Sequence, residues 1–225
     1  MSTHDLHRWS EALAGIARTG LGFTENPFEI ERYEEILTIA ADMRAAAEAD
    51  DPAVTPEWVR QEWVRMIGKS VAGYVTPKVA TGAVVGNDEG KLLLIQRSDS
   101  GVWLYPTGWA DVGYSPSEVA EKEVLEETGI ECDVVRPLAI VDGMRAGFSR
   151  IPLYSLVFFC RATGGELSPH PQECLDAGWF GRDDLPTPLA NGDQWVDLAF
   201  GAISGEGGER VAFDPPRRPV WRGEH

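Results

Sequence analysis

Pro106-Thr107-Gly108-Trp109-Ala110-Asp111-Val112-Gly113-Tyr114-Ser115-Pro116-Ser117-Glu118-Val119-Ala120-Glu121-Lys122-Glu123-Val124-Leu125-Glu126-Glu127-Thr128-Gly129-Ile130 is the stretch from which the rest of the chain is best read. A glycine-bearing loop runs into one strong helical segment, Ser117 to Thr128, which stops at Gly129. On a helix, Glu123, Glu126 and Glu127 stand at i, i+3 and i+4 and share a face. Carboxylates so crowded repel one another, and the last helical turn is where the helix dipole disfavours acids. Between Asp111 and Asp133 there are eight acids and a single base. A face needing only solubility would pair these acids with Lys or Arg. This one asks for a hard divalent cation, Mg²⁺ or Mn²⁺, which takes oxygen ligands.

Working outward, two apolar, β-branched runs precede the loop: Val75 to Val85 and Lys91 to Gln96, separated by the turn residues Gly86 to Gly90. Two more, Cys132 to Asp142 and Pro152 to Ala162, follow the helix. A shorter run is Ala177 to Phe180, and a second helix is expected over about Gly192 to Ile203. The order β-β-α-β-β-α implies a mixed sheet with helices on its faces. Upstream the texture is helical. A first helix is expected from Thr3 to Arg18, stopping at Gly20. Asn26-Pro27 and Thr55-Pro56 each combine an N-cap residue with proline at the first helical position. Phe28, Ile30, Tyr33, Ile36, Leu37, Ile39 and Met43 give the second helix an apolar face, and Val59, Trp63, Met66 and Ile67 give one to the third. The expected organisation is a helical segment over 1–72, an α+β domain over 73–205 and a Pro- and Arg-rich tail over 206–225.

The quoted stretch resembles the signature box of the Nudix hydrolases, enzymes that cleave nucleoside diphosphates linked to another group. Anchored on Gly108, the box matches at Glu123, Val124, Glu126, Glu127, Gly129 and Ile130, and the likeness runs from about Thr76 to Leu185. It implies an α/β/α sandwich with a mixed sheet. The segments Gly20 to Phe28 and Glu31 to Glu34 resemble the helical extension of a subgroup acting on CDP-choline and ADP-ribose. The resemblance implies that Glu123, Glu126 and Glu127 hold Mg²⁺ or Mn²⁺, that Lys122 orients a carboxylate or touches phosphate, and that water attacks a diphosphate phosphorus. Gly108 is expected to let the loop turn tightly. Arg97 is a candidate for phosphate or for an ion pair with Asp99 or Asp111, and Trp103 and Trp109 for stacking on a base or packing inside. Glu173, Asp176 and Asp142 are candidates for the general base, which the family often draws from outside the box.

Two positions depart from the family pattern. Its first box glutamate falls on Tyr114, which cannot bind a hard cation at neutral pH as a carboxylate does. Its arginine falls on Lys122, which keeps the charge but lacks the bidentate fork. Asp111, on the loop, is an open substitute for the lost carboxylate, whereas Glu118 and Glu121 point away from the Glu123 face. The rival reading, built on Tyr114 and Lys122, is a catalytically weakened module that senses nucleotides or mediates an interaction.

Whole-chain properties narrow the field. The 225 residues carry 20 Lys+Arg against 36 Asp+Glu, a net charge of −16, so phosphate is repelled over most of the surface and general nucleic-acid binding is excluded. At 43% hydrophobic residues the chain can bury a core. It has no apolar run of membrane-spanning length and no signal-peptide pattern, so a cytoplasmic protein is expected. Cys132, Cys160 and Cys174 form neither a disulfide framework nor a zinc knuckle. The apolar helical faces upstream are expected to cover the sheet or to build a homodimer.

Overall fold

The computed structural model describes residues 3–67, 76–111, 113–190, 195–206 and 208–215. Val75, the expected domain boundary at 72, Gly192 and the tail beyond Pro215 lie outside the described residues. In chain order the elements are α1 (Thr3–Phe23), α2 (Pro27–Ala47), α3 (Pro56–Arg65), β1 (Lys78–Gly86), β2 (Leu92–Arg97), β3 (Trp103–Leu104), β4 (Thr107–Trp109), α4 (Pro116–Thr128), β5 (Ile130–Asp142), α5 (Gly143–Ala146), β6 (Leu153–Gly165), β7 (Cys174–Phe180), α6 (Val196–Ser204) and β8 (Ala212–Phe213). They form two compact units. One holds residues 1–77 together with 143–152, the other 78–142 together with 153–225.

The second unit is built on one mixed sheet in the order β3-β2-β1-β6-β5-β8, with β4 also paired to β1 and β7 to β2. β1 runs parallel to β6 and antiparallel to β2 and β4. Strand alternation explains why β1 and β2 read as unbroken apolar runs: both faces are covered. Val84, Leu92 and Leu94 turn one way, into a cluster with Val196, Ala199, Phe200 and Ile203 of α6. Ala83, Val85 and Leu93 turn the other way, onto Ala120 and Val124 of α4. The result is the α/β/α sandwich with a mixed sheet that the sequence implied.

Both upstream caps form as expected. The Asn26 side chain accepts from the Phe28 N–H and the Thr55 hydroxyl from the Trp58 N–H. The first helix, however, continues through Gly20 to Phe23. A Cβ at Gly20 would overlap the Tyr33 ring, so the glycine serves close packing and not a stop. The face of α2 also differs from expectation. Leu37, Ala40 and Ala41 are buried with Ala14, Ala17, Val59 and Trp63, while Phe28 and Ile39 are exposed. Small residues let two helices approach, and larger apolar ones are left outside. Met66 is exposed as well.

An ion-pair network crosses this helical unit. Glu11 is buried between Arg18 (3.8 Å) and Arg44 (2.9 Å), and Arg44 also binds Glu48. The segment 143–152 joins the same network. Arg44 donates to the Arg150 carbonyl at 2.7 Å, and Arg150 pairs with Glu48 at 3.2 Å. Burial pushes the Glu11 carboxyl up, against the opposing pull of Arg44 and Arg18.

Candidate active site

The acidic helix is fixed at both ends by local chemistry. At its start the Ser115 hydroxyl accepts from the Glu118 N–H, the Glu118 carboxylate accepts from the Ser115 N–H at 2.6 Å, and Pro116 takes the first helical position. This reciprocal capping box begins the helix ahead of the expected Ser117 and occupies Glu118. Glu121 is also engaged elsewhere, accepting from the Val134 N–H at 3.1 Å. At its end Gly129 adopts φ 74°, the left-handed cap that glycine tolerates. The loop between β6 and β7 then satisfies the last carbonyls. Ser168 N–H donates to Thr128 at 2.8 Å and His170 N–H to Glu127 at 3.0 Å.

The three glutamates divide. Ala120, Val124 and Glu127 recur at four and three residues, so Glu127 stands where a core residue would. It is 4% exposed, against 52% for the Glu126 side chain. Its carboxylate accepts from the Thr107 N–H of β4 at 2.9 Å. Glu123 lies beneath Gly108, where any Cβ would overlap its carboxylate. Gly108 sits in β4 opposite Thr81 and is absent from the positive-φ glycines. Its requirement is therefore room for that carboxylate, not the tight turn that the sequence suggested. Glu126 turns outward to Lys122, Nζ to Oε2 2.9 Å.

Electrostatics follow the geometry. Desolvation pushes Glu127 up to about 8; Glu123 and Glu173 add to the rise, and the Thr107 N–H and Arg97 oppose it. Glu123 is also raised, first by burial, and then by Glu126, Glu173 and Asp111 against the pull of Lys122. Lys122 is held firmly protonated, chiefly by its hydrogen bond to Glu126. Among the described residues no three His, Cys, Asp or Glu side chains are arranged to hold a metal ion by themselves. The donor set nevertheless fits a hard cation. One buried carboxylate, Glu127, and one partly buried, Glu123, lie under a strand whose glycine is cut away for the second, and both are raised, which is the state a divalent ion would relieve.

The remaining candidates separate cleanly. Arg97 is held by Asp99 through two bonds of 3.0 and 2.7 Å, while its charge also acts on Glu127. Trp103 is buried edge-on to Phe180. Trp109 is half exposed, with Lys78 Nζ 5.2 Å from its ring centre. Glu173 acts on both Glu123 and Glu127 from the β6–β7 loop, which is tied to the end of β2 by the Ser98 N–H donating to the Glu173 carbonyl at 2.9 Å. The Asp176 carboxylate accepts from the Ala177 N–H at 2.8 Å, and the Asp142 N–H donates to Asp214 at 2.6 Å. Tyr114 is half exposed. Two partners escaped sequence reasoning: the Thr107 N–H, and Asp111 as a ligand of Lys122 at 3.4 Å. The first has no local sequence signal, because β4 is defined only by pairing with β1.

Comparison with known proteins agrees with this architecture. The model of the NUDIX domain matches residues 76–197. The chain belongs to the Nudix family. It is a Nudix hydrolase, and hydrolysis of nucleoside diphosphates linked to a further moiety is the activity its relatives support. Residues 4–58 match the UDP-X-like, N-terminal oligomerisation domain. The chain is 29% identical to the putative ADP-ribose pyrophosphatase YjhB of Bacillus subtilis, over 85% of this chain and 88% of that one. It is 39% identical to putative nudix hydrolase 1 of Caenorhabditis elegans, over 48% of this chain but only 29% of the relative. A crystal structure of UDP-X diphosphatase superposes with a TM-score of 0.55 at 30% identity, covering 95% of this chain and all of the other. Nudix hydrolases generally use divalent metal ions. Among the described residues no helix is long and apolar enough to cross a membrane.

Proposed function

We propose that this Nudix hydrolase cleaves the diphosphate of a small nucleotide conjugate such as ADP-ribose, CDP-choline or a nucleotide sugar, using Mg²⁺ or Mn²⁺, and releases a nucleoside monophosphate. The observation that carries the proposal is the carboxylate pair held against β4, Glu127 buried on the Thr107 N–H and Glu123 partly buried beneath Gly108. The likeness to UDP-X diphosphatase along nearly the whole chain supports a nucleotide conjugate.

Glu123 and Glu127 would hold the ion, with Glu126 at the outer edge. When bound, the ion supplies charge neutralisation of the diphosphate and a lowered pKa for water. Thr107 N–H fixes the Glu127 carboxylate, and the missing Cβ at Gly108 leaves space for that of Glu123. Attack joins a water oxygen to one phosphorus. The bridging P–O bond breaks, and its oxygen departs with the second phosphate. The proton lost by water goes to a carboxylate base, for which Glu173 is favoured over Asp176 and Asp142 by its action on both Glu123 and Glu127. Arg97 exchanges Asp99 for substrate phosphate, and the half-exposed Trp109 ring stacks on the base. The exposed Ile16, Phe23, Phe28 and Ile39 belong to a homodimer interface on the helical unit, in line with the oligomerisation-domain match.

The test is a product assay with Mg²⁺ or Mn²⁺ against ADP-ribose, CDP-choline and a set of nucleotide sugars. Nucleoside monophosphate should appear, and E123Q and E127Q should each lose most turnover. Near-wild-type rates in both variants would refute the assignment. Nucleotide binding without turnover by the wild type would favour the sensing module instead.

A further inference from the structure

Lys122, itself a residue of the acidic helix, faces several acids at once. Its Nζ lies 2.9 Å from Glu126 Oε2, 3.4 Å from Asp111 Oδ2 and 4.0 Å from Glu123 Oε1. Three carboxylates, two from α4 and one from the loop before it, converge on one ammonium. Lysine carries a compact point charge with three donors, suited to several carboxylates at once, where a planar arginine fork would grip one. Glu127 stands apart, buried on the core side of α4 and bonded to Thr107.

We propose that Lys122 is the resident cation of the outer half of this site, and that by occupying Asp111 and Glu126 it limits the protein to a single divalent ion on Glu123 and Glu127. The inference rests on the hydrolase reading above. One observation and two physical arguments converge on it. The ammonium already compensates the outer carboxylates. It is tethered to the helix and so competes at high local concentration with any ion from solution. A second divalent ion at Glu126 would meet like charge from both the ammonium and the first ion.

The experiment is a titration of the metal-free full-length chain with Mn²⁺, counting free ion by its paramagnetic resonance signal, with no nucleotide present. Wild type should bind one ion. K122Q and K122M should each bind two, with unchanged far-ultraviolet circular dichroism. The double variant K122Q/E126Q should fall back to one. Two or more ions on wild type, or one ion on both K122Q and K122M, would overturn the proposal and leave the hydrolase assignment intact. No ion on wild type would overturn both. One ion without turnover on any nucleotide conjugate would refute the hydrolase reading alone.

Discussion

Replacing Glu127 by glutamine isolates the electrostatic cost built into the site. Glu127 has an ordinary value of 4.5 and is pushed up to about 8 in the fold. Between those values the folded protein keeps a proton that the unfolded chain has released, so stability falls as pH rises. The slope is roughly 1.4 kcal/mol per pH unit, which sums to roughly 4–5 kcal/mol across the window. The penalty is absent below pH 4.5, grows through the window and is complete above 8. Part of it comes from the charge of Glu123, which adds to the rise. Glutamine keeps an oxygen for the Thr107 N–H and sheds the charge. Urea unfolding of metal-free wild type and E127Q, followed from pH 5 to pH 8.5 in a chelator, should therefore give curves that diverge. E127Q should gain on wild type steadily, by several kcal/mol at the alkaline end. Saturating Mg²⁺ or Mn²⁺ should flatten the wild-type dependence by compensating the carboxylate. A constant difference between the two proteins at every pH would refute the burial argument.

Other outcomes follow from the same contacts. G108A should weaken Mn²⁺ binding by displacing the Glu123 carboxylate while leaving the thermal midpoint nearly unchanged, because the flexible end of a side chain is what must move. G129A should cost on the order of 1–2 kcal/mol in urea unfolding, since φ is positive there and the Glu166 carbonyl lies 2.5 Å from the added carbon. R44A should destabilise the protein by roughly 3–5 kcal/mol in the same assay, because it leaves Glu11 and Glu48 buried with their main cation gone. E11Q in that background should recover part of the loss; no recovery would show that packing, not charge, holds the unit together.

The parts of the molecule that could be read in advance are those whose order is local. The helical run from Ser117 to Thr128 placed α4 to within one residue of its start, and Gly129 marked its end. The doubly covered strands β1 and β2 announce themselves as continuous apolar runs. What could not be read depends on distant partners. β3 and β4 are two and three residues long and exist because Gln96 and Thr81 lie opposite Trp103 and Gly108. β8 likewise needs Ala139 and Ile140 beside it. In α2 the tally of large apolar residues pointed to Phe28 and Ile39, whereas close approach selected Ala40 and Ala41. The acidic trio followed from helical spacing alone, but its division into an inward pair and an outward member depended on Thr107, Gly108 and Lys122. Only the fold could supply those neighbours.

The connection between β5 and β6 bears on any attempt to cut the molecule. Residues 143–152 leave one strand of the sheet and return to the next, yet their compact packing and the contacts of Arg150 are shared with helices more than a hundred positions earlier. The two units are thus interleaved along the chain, not strung in series. Excising the leading helices would strip the partners of a hairpin that stays behind. A chimera exchanging those helices with a relative would have to carry the hairpin with them.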